Sequence, residues 1–211
     1  MELADGSDAD GASRAATLVR QPGVARASWW TNCLPGRTEL PMRVRDGTLL
    51  VVAELGAGAA APDARPGSTS FCFHRHSRPS QGILTGRPTT GLLVVWISPR
   101  VPEAAGRLRD WGDFVHIRHI AAAAIPGFAQ IAVYENDSGA DPLYMHLYEF
   151  DGAGAEATYQ TMVDFVAPRL GGVDSEQFAH WADWRASGGR LWYCNTFDLA
   201  GSADGAALPG A

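Results

Sequence analysis

The order of apolar runs, polar stretches and chain breakers is clearest in the second half of the sequence. Leu92 to Ser98 (LLVVWIS) is continuously apolar and bounded by Gly91 and Pro99, so it predicts a buried strand rather than a helix. From Pro102 to Ala124 the residues favour helix, with Gly106 as a breaker, and Pro126-Gly127 stops the segment. Two strands follow, Phe128 to Glu135 and Leu143 to Phe150, separated by the turn-rich stretch Asn136 to Pro142. A helical stretch from Ala155 to Leu170, a Gly-Gly break, a short helix from Ser175 to Trp184 and a last strand from Arg190 to Asp198 complete the half.

This β-α-β-β-α-β order is the ferredoxin-like arrangement. The first half echoes it. Pro22-Gly23-Val24 stands against Pro126-Gly127-Phe128, and ten residues after each proline comes an asparagine, Asn32 and Asn136. Leu49 to Leu55 lies over Tyr144 to Phe150, and Phe71-Cys72-Phe73 is set over Tyr193-Cys194-Asn195 as the weakest match. Agreement of order and spacing together points to an internal duplication, although paired strands with P-G turns also arise independently. A helix is predicted over Ser13 to Gln21, with no opening strand before it, and the Gly/Ala/Pro stretch Gly56 to Gly67 stands where the second helix would be. The expected fold is α+β, with two tandem ferredoxin-like halves closing a one-chain barrel of seven strands and the helices outside. The divisions are a disordered tail over 1–12, a trimmed half over 13–78, a linker loop over 79–90, a complete half over 91–200 and a second disordered tail over 201–211.

Composition narrows the chemistry. All 17 basic residues are arginine, so a Schiff-base lysine, a pyridoxal-phosphate anchor and a P-loop are excluded together. A net charge of −6 without a basic tract argues against nucleic acid, and no run approaches a membrane span. Met1 to Gly11 lacks the basic start and apolar run of a signal peptide. Three scattered cysteines make a disulfide framework or zinc ribbon improbable and place the chain in a reducing cytoplasm. Richness in Ala, Gly and Arg points to a high-GC bacterial genome. Neither a G-x-G-x-x-G nor a G-x-S-x-G motif is present.

The stretch Asp110 to Phe128 resembles the first helix and second strand of the dimeric α+β barrel superfamily, with its Trp/Asp/His-rich helix and Pro-Gly-Phe turn. Pro142 to Phe150 resembles the third strand of the same proteins. The resemblance implies two ferredoxin-like units packed sheet against sheet, here supplied by one chain that would itself be free to pair as a homodimer. The superfamily spans polyketide cyclases, cofactor-free monooxygenases, muconolactone-type isomerases, EthD-like proteins and haem-dependent enzymes. Fold membership therefore leaves the reaction to the site.

Candidate chemistry concentrates in the second half. Asp113, His116 and His119 are spaced i, i+3, i+6, which gathers them on one face of an α-helix. A carboxylate one turn from His116 would fix its tautomer and raise its basicity, making a general base; a solvent-exposed helix-end histidine would show the same spacing. On the third strand Tyr144, His146 and Tyr148 share one face and Met145 and Leu147 the other, so the polar aromatic face is expected to line the barrel interior or a pocket mouth. Ordinary barrel filling is the alternative. Arg118, Trp111, Tyr193, Asn195 and Trp29 complete the substrate-binding candidates. His74 and His76 share a strand face and, with His116 and His119, would make a metal site if the fold brought the pairs together.

The leading expectation is a cofactor-independent acid–base enzyme, of cyclase, dehydratase, isomerase or lyase type, acting on a small apolar or aromatic, polyketide-like molecule. No metal and no cofactor is expected. A cofactor-free monooxygenase of an aromatic substrate, a non-catalytic small-molecule binding protein and a haem or metal enzyme are the competing readings.

Overall fold

The computed structural model describes residues 1–76, 82–152 and 154–205. Its centre is one antiparallel sheet of ten strands with helices on its outer side. The first half contributes β1 (Glu2–Ala4), α1 (Asp8–Leu18), β2 (Val24–Asn32), β3 (Leu49–Leu55) and β4 (Thr69–Ser70). Two short strands follow, β5 (Phe73–Arg75) and β6 (Gly82–Ile83). The second half runs through β7 (Gly91–Pro99), α2 (Ala105–Asp110), a π-helical segment (Trp111–Ile117), α3 (Arg118–Ala122), β8 (Phe128–Asn136) and β9 (Tyr144–Phe150). It ends with α4 (Ala155–Gln160), α5 (Met162–Val166), α6 (Glu176–Ala182) and β10 (Gly189–Asp204).

The spatial order is β4-β1-β3-β2-β10-β7-β9-β8-β5, with β6 also on β8. The first four strands and the next four each repeat the order fourth, first, third, second, which is the ferredoxin-like order. Strand β10 joins them. Gly189 to Asp198 pairs with β7, while Phe197 to Asp204 pairs with β2. The two ends of the sheet path, β4 and β5, are separated in sequence only by Phe71 and Cys72. The sheet therefore curls until its first and last strands lie on one chain segment, and its inner face is enclosed.

Both faces of this sheet are buried, for different reasons. The inner face carries Trp30, Leu50, Leu92, Val94, Trp96, Met145, Leu147, Tyr193 and Phe197, drawn from both halves. Trp96 is fully buried there, with ring centroids of Phe71 and Tyr193 at 5.0 and 4.9 Å. Burial of a ring of this size stabilises the closed sheet by roughly 5 kcal/mol as an upper figure. On the outer face, Leu93, Phe128, Ile131, Tyr148 and Phe150 pack under Ile117, Ile120, Met162 and Val166 of the helices.

The structure corrects four sequence expectations. The N-terminal residues form an element rather than a tail: Leu3 is buried between β3 and β4, and Glu2 pairs with Arg14 at 2.8 Å. Helix α1 starts at Asp8, not Ser13, because Ser7 and Asp10 close a capping box. The last strand extends to Asp204, where a C-terminal tail was expected, and Gly201 is required because a Cβ there would meet the Trp29 ring at 2.3 Å. Ten strands are present among the described residues instead of seven, since β1, β4 and β6 have only two or three residues each. Residues 77–81, in the expected linker and the end of the first half, and 206–211, in the expected tail, lie outside the described residues.

Candidate functional site

The helix predicted over Pro102 to Ala124 is not uniformly α. Its middle, Trp111 to Ile117, is a π-helix, so the residue spacing that would align Asp113, His116 and His119 on an α-helical face does not apply there. The wide turn passes over the ring of His146, and Gly112 faces it: a Cβ at 112 would lie 3.2 Å from His146 Cε1. The His116 ring is stacked between Trp111 and Trp181, with centroids at 4.7 and 4.9 Å and interplanar angles of 26° and 18°. Its Nδ1 donates to the Trp181 carbonyl at 3.1 Å, and Trp181 Nε1 returns a bond to the His116 carbonyl. Trp111 Nε1 donates to the His180 carbonyl. These bonds fasten the π segment to α6.

This environment lowers the basicity of His116 instead of raising it. Burial pushes its pKa down to about 4, and burial together with the nearby His116 pushes His146 down to about 3. His119 is also shifted down, by burial and then by the charges of Arg118 and Arg169. Asp113 is buried in the π segment, but the hydrogen bond of His116 goes to a backbone carbonyl.

The third-strand prediction has the correct alternation and the wrong sidedness. Tyr144, His146 and Tyr148 point outwards under the helices, and Met145 and Leu147 point into the barrel. Tyr144 OH accepts from Arg109 at 3.1 Å, while Tyr148 is buried against Phe128 with its phenol pushed up by burial. Tyr193 donates to Asp46 at 2.6 Å, and Asn195 is held by Leu34 O, Asp46 and Arg37. Their polar groups fasten the segment 33–48 to β10. Trp29 packs against α1 and bonds to Asp8, and Arg118 is exposed. None of the eleven candidate residues lines the larger cavity.

That cavity, of about 500 Å³, lies at one end of the barrel. Its walls are β3 and the loop after it, the closing segment Ser70 to Arg75, and Tyr134, Met145 and Leu147 of β8 and β9. Phe71 and Phe73 bring aromatic surface, and both contact Trp96. Apolar surface predominates, but the lining also carries Glu2, Arg14, Glu54, Arg75, Tyr134, whose phenol is shifted up by burial and then by Glu149, and a His74–Asp137 pair at 2.7 Å. Trp96 Nε1, in the core behind that wall, is buried without a hydrogen-bond partner among the described residues, a cost of about 1–3 kcal/mol. Phe71-Cys72-Phe73 matches the repeat only weakly, and Tyr134 is a lone tyrosine in a strand, which carries no motif.

No protein-family model matches the chain, and no curated protein matches it in sequence. Among solved structures, the chain is similar to an anthrone oxidase-like protein, with 14% identity, a TM-score of 0.55 and coverage of 100% of this chain and 94% of the other. It is also similar to a provisionally named monooxygenase of Fusobacterium nucleatum subsp. nucleatum, with 9% identity, a TM-score of 0.51 and coverage of 98% and 93%. These likenesses establish the ferredoxin-like α+β fold. They also correct the leading expectation of a cyclase, dehydratase, isomerase or lyase: chains of this fold carry oxidase and monooxygenase names, and His116, the presumed base, is a stacked, weakly basic ring.

Proposed function

We propose that this chain is an oxygenase of a flat, electron-rich aromatic molecule bound in the barrel cavity. The observation that carries the reading is the cavity itself: about 500 Å³, walled by Phe71, Phe73, Met145 and Leu147, with the neutral phenol of Tyr134 beside them. This volume falls in the range of small-molecule sites, and a wall of aromatic and aliphatic side chains with polar groups beside it suits an aromatic ring bearing one or two oxygens. The names of the similar solved structures support the same reaction class. The repeated strand order within one chain supports a tandem-duplicated form of the fold.

In this reading the substrate is an acidic aromatic of anthrone type. Loss of a proton from carbon to solvent water gives a carbanion whose negative charge spreads onto the ring oxygen, and the proton is taken up again when water is released. Tyr134 OH donates to that oxygen and stabilises the charge as it forms. The carbanion then reduces dioxygen, and transfer of one oxygen atom to carbon with release of water yields the quinone.

An oxygen electrode tests the proposal with anthrone and related hydroxyaromatics. The expected result is consumption of one dioxygen per quinone formed, with a turnover number at least tenfold lower in Tyr134→Phe. Saturable binding of these ligands without oxygen uptake would make the chain a binding protein and overturn the oxygenase reading.

A further inference from the structure

The edge of the sheet beside the cavity carries a second constellation. Strand β5 pairs with β8 so that His74 lies directly opposite Glu135, and His76 continues the ladder by donating its N–H to Val133 O at 3.0 Å. Residues 74 and 76 share one face of the strand, and a residue directly opposite shares that face across the ladder. The side chains converge: the ligating atoms of His74, His76 and Glu135 all lie within 4.8 Å of one another. Sequence reading joined His74 and His76 to His116 and His119, whereas the group that the fold assembles contains Glu135 and neither of those histidines.

We propose that His74, His76 and Glu135 form a binding site for one divalent transition-metal ion. Two imidazoles and one carboxylate select borderline metals such as zinc, cobalt, nickel or iron(II) over calcium and magnesium, which prefer all-oxygen sites. A further residue fits this role. Asp137 Oδ1 lies 2.7 Å from His74 Nδ1, which orients the ring and directs Nε2 towards the ion. Three protein ligands leave coordination positions open on the outer face of the sheet, opposite the inward-packed Phe73 and Tyr134, with His74 and Asp137 at the rim of the cavity. Among the described residues, Arg109 brings a positive charge against the ion, its Nη2 3.5 Å from Glu135. The site stands whether or not the oxygenase reading holds.

The test is titration of the chelator-treated full chain with cobalt(II), read by calorimetry and by the visible d–d absorption that a nitrogen–oxygen site produces. One saturable equivalent is expected. His74→Ala combined with His76→Ala should abolish it, Asp137→Asn should weaken it about 10- to 100-fold, and Arg109→Gln should tighten it severalfold. His180→Ala should leave it unchanged. Circular dichroism on each variant separates lost ligands from lost fold, and His76→Gln supplies a milder replacement should the double variant unfold. Absence of saturable cobalt binding by the native chain, or retention of it by a folded double-histidine variant, would overturn the site.

Discussion

Strand β9 presents two faces that sequence reading ranked in the opposite order from the structure. The face with hydroxyls and imidazole, Tyr144, His146 and Tyr148, is packed under helices and the π segment. The plain face, Met145 and Leu147, borders open space large enough for a ligand. Polar tips on aromatic rings are no guide to a cavity when an outer layer of helices can bury them and satisfy them locally. Tyr144 has Arg109, and the His116 imidazole has the Trp181 carbonyl. Empty volume arises instead where the closing segment Ser70 to Arg75 and the loop after β3 meet without filling the barrel end.

The strongest way to break this contrast is to fill the inner face. Leu147→Trp should lower aromatic turnover by about 100-fold or more, because even a 1 Å displacement of substrate costs that much. A melting temperature close to that of the native chain would show that void, rather than packing, was lost. Next is the outer face. His116→Ala removes a ring held between two indoles and should destabilise the fold by about 2–3 kcal/mol in denaturant unfolding while oxygen uptake stays within about twofold of native. Loss of turnover with unchanged stability would return His116 to the active site.

The buried imidazoles also sharpen the comparison through pH. Their folded pKa values, about 4 for His116 and about 3 for His146, lie below the unfolded value near 6.5. Between those values the unfolded chain holds more protons, so stability is full above about pH 6.5 and falls with acidification until the folded pKa is reached. Each histidine contributes up to about 1.4 kcal/mol per pH unit in that window. Replacing His146 with Gln should flatten its share of the slope, measured by denaturant midpoints from pH 7 to 4. The smallest effect belongs to Gly112→Ala, expected to cost about 1 kcal/mol because its Cβ presses on His146 at 3.2 Å.

Much of the second half was legible because its strands obey the rules of apolar runs and breakers. Leu92 to Ser98 lies within β7, and Arg190 to Asp198 is the portion of β10 paired with β7. The N-terminal strand was hidden for a physical reason. Glu2-Leu3-Ala4 is too short to show alternation, and its burial is conferred by β3 and β4, far away in sequence. The Ser7-x-x-Asp10 capping signal was present but lay inside an acidic, small-residue run that resembled disorder. The candidate site was less legible. Period-two alternation separates the faces of β9 but not their surroundings, and in a closed sheet both are buried. The metal constellation needed the β5–β8 register, which brings Glu135 opposite His74 from sixty-one residues away in sequence.

The meeting of the two sheet ends on one segment has a consequence for how the molecule behaves in company. An open ten-stranded sheet would offer two ladders of unpaired amides and carbonyls, each a template on which another chain can add a strand. Here both terminal strands, Thr69–Ser70 and Phe73–Arg75, are two and three residues long and consecutive along the same stretch. Among the described residues, the strands that end the sheet path are thus too short to offer a long ladder on which strand-to-strand aggregation can begin.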